Sequence, residues 1–346
     1  MTHRIDQLEN GMILSEDVYD ESGELILSLG TVLSSAQIDR LEERGVLFVS
    51  IVVHSDDVNV NPVVAREAQI HEKYNDAVHR FKDVFQTLKF GNKIAYSDVE
   101  DIASPLVDEV MENTSIARQL WQLKTCDLYT FDHSVTVSLV SALLAKWLKF
   151  DEATVRDAAV AGLMHDIGKI NIPDQILNKP SSLTAEEYKV MKTHATLGYV
   201  LLMNNGNMPH QVIAAVHHHH ERYDGTGYPS GLVRNEIEPL TRIVAIADVF
   251  SAMTTHRVYK KAKNPFLVAK EMREASYGSL DPEYIQAFIT GISNYYVGNV
   301  VKLSNHEVGE VIMIHKSEPH RPLVKVGDKF IDLIKDHTID IEEVVF

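Results

Sequence analysis

The chain has one cysteine, Cys126, so no internal disulfide can staple it, and that usage fits a reducing compartment. Cys126 itself reads as an inert core residue rather than a nucleophile. Long apolar runs are also missing: nothing approaches the roughly 20 residues that span a bilayer, and the longest candidate, Val46 to Val53, has strand length. The segment Met1 to Glu16 has neither a basic n-region nor an apolar h-region. The expectation is a cytoplasmic protein without membrane insertion. Basic residues are in deficit, 33 Lys and Arg against 49 Asp and Glu, for a formal charge of -16. That balance argues against broad electrostatic binding to a nucleic-acid polymer or to anionic lipid. No Walker phosphate loop or Rossmann fingerprint is present. An anionic substrate therefore needs a local positive patch, which Arg257, Lys260, Lys261 and Lys263 could supply; the plainer reading of those four is a solvated helix end or loop.

What is present is enough ordinary globular sequence, 346 residues at 45% hydrophobic and 24% charged, for two or three domains. Residues 1–60 read as a small N-terminal α+β module. It has strand-like runs at Met12 to Val18 and Leu25 to Leu27, a turn at Glu21-Ser22-Gly23, a helix from Ser34 or Ser35 to about Arg44 stopped by Gly45, and a further β segment at Val46 to Val53. Residues 61–122 read as a helical connector whose stripe Tyr74, Val78, Phe81 and Phe85 joins modules or two copies of the chain. Residues 123–297 continue the helical pattern and hold the histidines of interest. Residues 298–346 cluster β-formers at Val300 to Leu303, Gly309 to Ile314 and Leu323 to Val326, giving a small C-terminal β module. The fold class is mainly α with a small module at each end.

Helical geometry selects the candidate ligands. His133 shares a face with Val137, Val140 and Leu144, and His194 sits among Val190, Met191, Leu197 and Leu201. In the run His217 to His220, consecutive helical residues point about 100° apart. If Val212, Ile213 and Val216 mark the inward face, His220 lies near its centre and His219 at an edge, leaving His217 and His218 outside. His165-Asp166 ends an apolar helical run, and Gly168 lets the chain turn there. Asp248 interrupts an apolar stretch that cannot hide an unpaired carboxylate cheaply; metal coordination or a salt bridge to Arg242 or Arg257 would account for it. A lone histidine is usually a hydrogen-bonded core or surface residue, but His133, His165, His194, His219 and His220 with Asp166 and Asp248 exceed the roughly four ligands of one zinc-type site. Two metal ions are the simpler reading, and imidazole with carboxylate suits iron or manganese, with zinc as the alternative. Lys169 follows closely enough to donate to a phosphoryl oxygen.

His165-Asp166-Ile167-Gly168-Lys169 and the run His219-His220-Glu221-Arg222-Tyr223-Asp224-Gly225-Thr226-Gly227-Tyr228-Pro229 resemble the HD-GYP subgroup of HD-domain phosphohydrolases. Arg242 to Asp248 and Arg257-Val258-Tyr259-Lys260-Lys261 extend the resemblance over roughly Thr125 to Phe288. It implies a helical HD-type catalytic domain that binds two divalent metal ions and hydrolyses cyclic di-GMP to pGpG or GMP, with hydroxide made available between the ions. By matching position, the metal ligands would be the seven residues above. Asp166 and Lys169 would serve catalysis, and Lys169, Gly227, Tyr228, Pro229, Arg257 and Lys260 would touch substrate. Tyr129 stands where members with a third metal carry glutamate, and Ser251 where the family usually has another aspartate. Those two departures keep a different reading alive: a weak or inactive cyclic-dinucleotide sensor that docks a signalling protein. A phosphohydrolase of another nucleotide is the nearer rival.

Overall fold

The computed structural model describes residues 2–10, 12–14, 18–19, 25–27, 33, 35–46, 48–52, 62–112, 129–205, 207–254, 265–275, 278–294 and 296–345. They fall into two compact units, residues 1–72 and 73–346. Cys126, Arg257, Lys260, Lys261 and Lys263 lie outside the described residues. So does the turn expected at Glu21-Ser22-Gly23.

The first unit holds short strands β1 (Thr2–Arg4), β2 (Ile13–Leu14), β3 (Val18–Tyr19) and β4 (Leu25–Leu27), helix α1 (Ser35–Glu43) and strand β5 (Phe48–Val52). β5 is the centre of an antiparallel sheet in the order β1-β5-β2, while β3 and β4 pair separately. The residue after α1 and the next form a turn, and Gly45 takes φ +74°, a left-handed conformation that a Cβ disfavours. Leu14, Ile26, Leu33, Leu41, Val49 and Ile51 close a small apolar core. Helix α2 (Pro62–Lys89) carries the chain across the boundary between the units.

In the second unit, α3 (Tyr96–Glu112), α4 (Tyr129–Trp147), α5 (Glu152–Met164), α6 (Asp174–Leu177), α7 (Ala185–Lys192), α8 (His194–Asn205), α9 (His210–His218), α10 (Pro239–Thr254), α11 (Pro265–Ala275) and α12 (Pro282–Asn294) follow in order. α4 is the hub, packed against α3, α5, α10 and α12. Its sequence is apolar or small all round from Val135 to Ala145, which is why it is buried rather than amphipathic. Each such Val or Leu taken wholly out of water contributes about 1.5–3 kcal/mol. α5 starts where the Asp151 carboxylate accepts from the Thr154 amide at 2.9 Å.

The connector's apolar stripe is used up inside this unit. Tyr74, Val78 and Phe81 are buried, and Phe81 and Phe85 meet Phe131 of α4 edge-on at 6.1 and 5.3 Å. The Tyr74 hydroxyl reaches Asp132 Oδ1 at 2.9 Å and Thr136 Oγ1 at 2.7 Å. That face is therefore not available to join a second copy, contrary to the expectation from its pattern.

The chain ends in an antiparallel sheet of β6 (Val300–Leu303), β7 (Val308–Met313), β8 (Leu323–Val326), β9 (Lys329–Asp332) and β10 (Ile341–Val345), in the order β10-β6-β7-β8-β9. Val301, Leu303, Val311 and Val324 fill its inner face. β9 and β10 were not visible in the pattern. β9 is a charged edge strand with no buried residue, and β10 changes register between Ile341 and Glu343. The architecture is the expected one, a mainly helical chain with a small α+β module before the helices and a small β module after them. Among the described residues no helix is long and apolar enough to cross a membrane.

Candidate metal centre

Each candidate ligand stands at a helix end or on a buried helix face. His133 lies on α4 one turn before Val137, with Val140 and Leu144 completing the fully buried stripe. His165 is the C-cap of α5, and Asp166 precedes a 3-10 turn, Ile167–Asn171. Gly168 in that turn lies against the His194 carbonyl and the Gly198 amide, where a Cβ would overlap backbone. The close approach seats the turn on α8 and brings Asp166 to His194.

Two readings of helical faces need correction here. α7 ends at Lys192 and α8 begins at His194, so Val190 and Met191 belong to a different helix, and Val190 is exposed. Likewise α9 stops at His218, with His219 as its C-cap. His219 is the fully buried member of the run and His220 the partly exposed one, the reverse of what a continuing helix would give.

The seven side chains nonetheless meet in one place. His133 and His165 face each other with Nε2 atoms 3.2 Å apart, and His194 and His219 do so at 3.3 Å. His220 stacks beside them, its ring 4.1 Å from that of His219 and 5.0 Å from that of His194. Asp166 stands between the two sets: Oδ2 is 3.3 Å from His165 Nε2 and 3.7 Å from His133 Nε2, while Oδ1 is 3.3 Å from His194 Nε2. Asp248 Oδ1 lies 3.2 Å from His133 Nε2. Arg242, considered as a salt-bridge partner for Asp248, pairs with Asp281 at 3.0 Å instead.

The opposite edges of the rings decide their chemistry. Nδ1 of His165, His194 and His219 lies 2.7, 2.7 and 2.8 Å from the carbonyls of Gly162, Met191 and Val216. A carbonyl only accepts, so Nδ1 is the protonated nitrogen and a neutral ring turns a bare Nε2 lone pair inward. Burial lowers the pKa of His194 and His219, and lowers His220 to about 3, so protons do not fill the space between these nitrogens at neutral pH. Lone pairs aimed at one another are relieved by a cation. Two groups, His194 with His219 and His220, and His133 with His165 and Asp166, have candidate ligand atoms within 4.8 Å of one another and could each hold a metal ion.

The carboxylates are tuned the other way. Burial would raise Asp166, but Lys169 and the imidazoles outweigh it and hold it well below the usual range. Asp248 is likewise lowered, with His133 and His165 overcoming burial. The His165 ring is raised, since Asp166 and Asp248 exceed its desolvation. Lys169 Nζ sits 2.5 Å from Asp166 Oδ2.

His217 stacks on Tyr199 at 4.5 Å, and His218 Nε2 lies 3.5 Å from Ser230 Oγ, both outside the cluster. The Tyr228 ring stacks on His220 at 4.7 Å and 28°, so the loop containing Gly227 and Pro229 borders the centre. Gly227 runs against the backbone of Glu221 and Arg222, leaving no room for a side chain.

Two residues have roles that their place in the sequence did not reveal. Glu221 is buried and accepts from the amides of Ser230 (2.6 Å), Gly231 (3.1 Å) and Leu232 (3.1 Å), fixing the loop after Tyr228. Its position directly after two histidines was the only available signal. Ser251, read as a lost support, places Oγ 3.0 Å from His133 Nδ1 and so orients that ring. The side chain of Tyr129 is outside the described residues.

A helical bundle enclosing paired His and Asp clusters defines a class before any particular protein. The family model described as "HD domain" matches residues 112–284. A cyclic di-GMP phosphodiesterase of Pseudomonas aeruginosa, PA4108, is 37% identical over 243 residues, covering 70% of this chain and 58% of that protein. A cyclic di-GMP phosphodiesterase of Thermotoga maritima is 34% identical over 232 residues, covering 66% and 62% respectively. The chain thus spans about three fifths of the length of these relatives. Among solved structures, Bd1817, an HDG"Y"P protein from Bdellovibrio bacteriovorus, shares the fold with a TM-score of 0.52 and 21% identity, over 83% of this chain and 97% of that one. The chain belongs to the HD-domain family and, within it, to the HD-GYP subgroup.

Proposed function

We propose that the protein is a metal-dependent phosphodiesterase that hydrolyses cyclic di-GMP to pGpG or GMP. The observation that carries the reading is the inward convergence of the Nε2 atoms of His133, His165, His194 and His219 on two ionised carboxylates. His133, His165, Asp166 and Asp248 would hold one divalent ion, and His194, His219, His220 and Asp166 a second, with iron or manganese preferred and zinc as the alternative. Such ions supply Lewis acidity at a phosphoryl oxygen and make hydroxide available near neutral pH.

The chain's own residues do the rest. Asp166, kept ionised by Lys169, ties the two halves of the site together. Carbonyls behind His165, His194 and His219 hold these three imidazoles in a ligating tautomer, and the Ser251 hydroxyl orients the His133 ring. Lys169 is also near enough to the centre to meet a phosphate oxygen once substrate arrives. Two divalent cations would exceed the charge of Asp166 and Asp248, so an anionic diester is attracted although the chain as a whole is acidic. Gly227, Tyr228 and Pro229 border the substrate, and Arg257 and Lys260 hold a guanine or phosphate group. The curated relatives named as cyclic di-GMP phosphodiesterases support the choice of substrate.

The contact from Ser251 to His133 counts against a merely sensing role, since the support that its replacement was expected to remove is supplied by the serine itself. Association with a second copy or with a signalling protein would have to use surface other than the buried Tyr74 to Phe81 stripe. The test is purification without oxygen in iron or manganese, metal analysis, and chromatography of products from cyclic di-GMP. Stoichiometric metal with pGpG or GMP formed supports the enzyme; metal bound without turnover supports the sensor.

A further inference from the structure

Helix α7 has no buried residue. It is anchored at its start instead, where Thr184 and Glu187 form a capping box and Glu187 also binds Lys179 at 2.6 Å. A helix held by its cap rather than by a core leaves its side chains free to face a ligand. Tyr188 on this helix is 50% exposed. One turn later, Lys192 Nζ lies 4.9 Å from the centre of the Tyr188 ring and 5.0 Å from that of Tyr228, which itself stacks on His220.

Surface tyrosines and a lysine in the last turn of a helix are ordinary features by themselves. Their position is not. Tyr228 comes from a loop far along the chain, yet its ring meets both Lys192 of α7, at 5.0 Å, and His220 of the candidate metal centre, at 4.7 Å. Among the described residues Lys192 has no carboxylate partner, and neither phenol hydroxyl has a hydrogen-bond partner. The rim of the site therefore carries an open aromatic face and an uncompensated ammonium.

Resting on the phosphodiesterase reading, we infer that Tyr188, Lys192 and Tyr228 form a guanine subsite, with the base stacked on Tyr188 and Lys192 donating to its O6 and N7. The ammonium has donors only. Guanine presents two acceptors on that edge, whereas adenine presents the N6 amino donor beside N7. The subsite thus discriminates as well as binds.

The experiment uses the manganese-loaded full chain and compares cyclic di-GMP, cyclic di-AMP and bis(4-nitrophenyl) phosphate, a diester without a base. Tyr188→Ala should raise KM for cyclic di-GMP roughly 5- to 150-fold, the range for a lost base–aromatic stack, and Tyr188→Phe should restore it. The effect should be several times larger than on the base-free diester. Lys192→Met should narrow the preference for cyclic di-GMP over cyclic di-AMP roughly fivefold or more. Equal losses on all three substrates, or an unchanged KM in Tyr188→Ala, overturn the subsite while leaving the enzyme reading intact. A metal-loaded wild type that neither binds nor cleaves cyclic di-GMP overturns both.

Discussion

The two halves of the metal centre are built from different materials. One half sets two imidazoles, His133 and His165, against two carboxylates, and its buried ring His165 has a raised pKa. The other half gathers three imidazoles, His194, His219 and His220, all with lowered pKa, and shares only Asp166. Their supports differ too: the second half has two rings locked by backbone carbonyls and a third stacked on Tyr228, whereas His133 depends on a single hydroxyl. Under the proposed function, charge in one half and neutral nitrogen in the other would make the two metal positions unequal in affinity and in the metals they favour.

Removing what the halves share should have the largest effect. Asp166→Ala is expected to strip metal from both positions and to reduce turnover by roughly 100-fold or more, leaving the helical circular dichroism spectrum in place. Retained wild-type turnover would take Asp166 out of the centre. Asp248→Asn addresses the carboxylate-rich half alone: about one metal equivalent should remain by elemental analysis, and losing both would mean the halves do not load independently. Ser251→Ala should weaken the same position by roughly 10- to 100-fold in a metal titration, with Ser251→Asp recovering the loss. Equal weakening of both positions would refute the assignment of Ser251 to His133. The smallest effect belongs to the support of α7: Thr184→Ala should lower stability by about 1 kcal/mol in urea denaturation, with both metals still bound.

Legibility followed how local each signal was. The Val137, Val140 and Leu144 stripe pointed His133 inward because α4 is one uninterrupted helix. The same reasoning misordered His219 and His220, since α9 ends at His218, and it merged α7 with α8 across Thr193. Both breaks arise where backbone carbonyls at a helix end are taken by imidazole Nδ1 atoms, which no periodicity records. Glu221 and Ser251 were missed or misjudged for a related reason: their partners are 9 to 11 and 118 residues away. The Tyr74 to Phe85 stripe was recognised, but not that α4 covers it.

Residue types and spacings alone determined which side chains are candidate ligands, the helical character of the region that holds them and the modules at either end, because hydrophobic periodicity and the scarcity of buried charge are local properties of a chain. Tertiary structure decided which nitrogen of each ring turns inward, which carboxylate spans the two halves, and which surfaces remain open. Those depend on distances between helices remote in sequence, which packing alone sets.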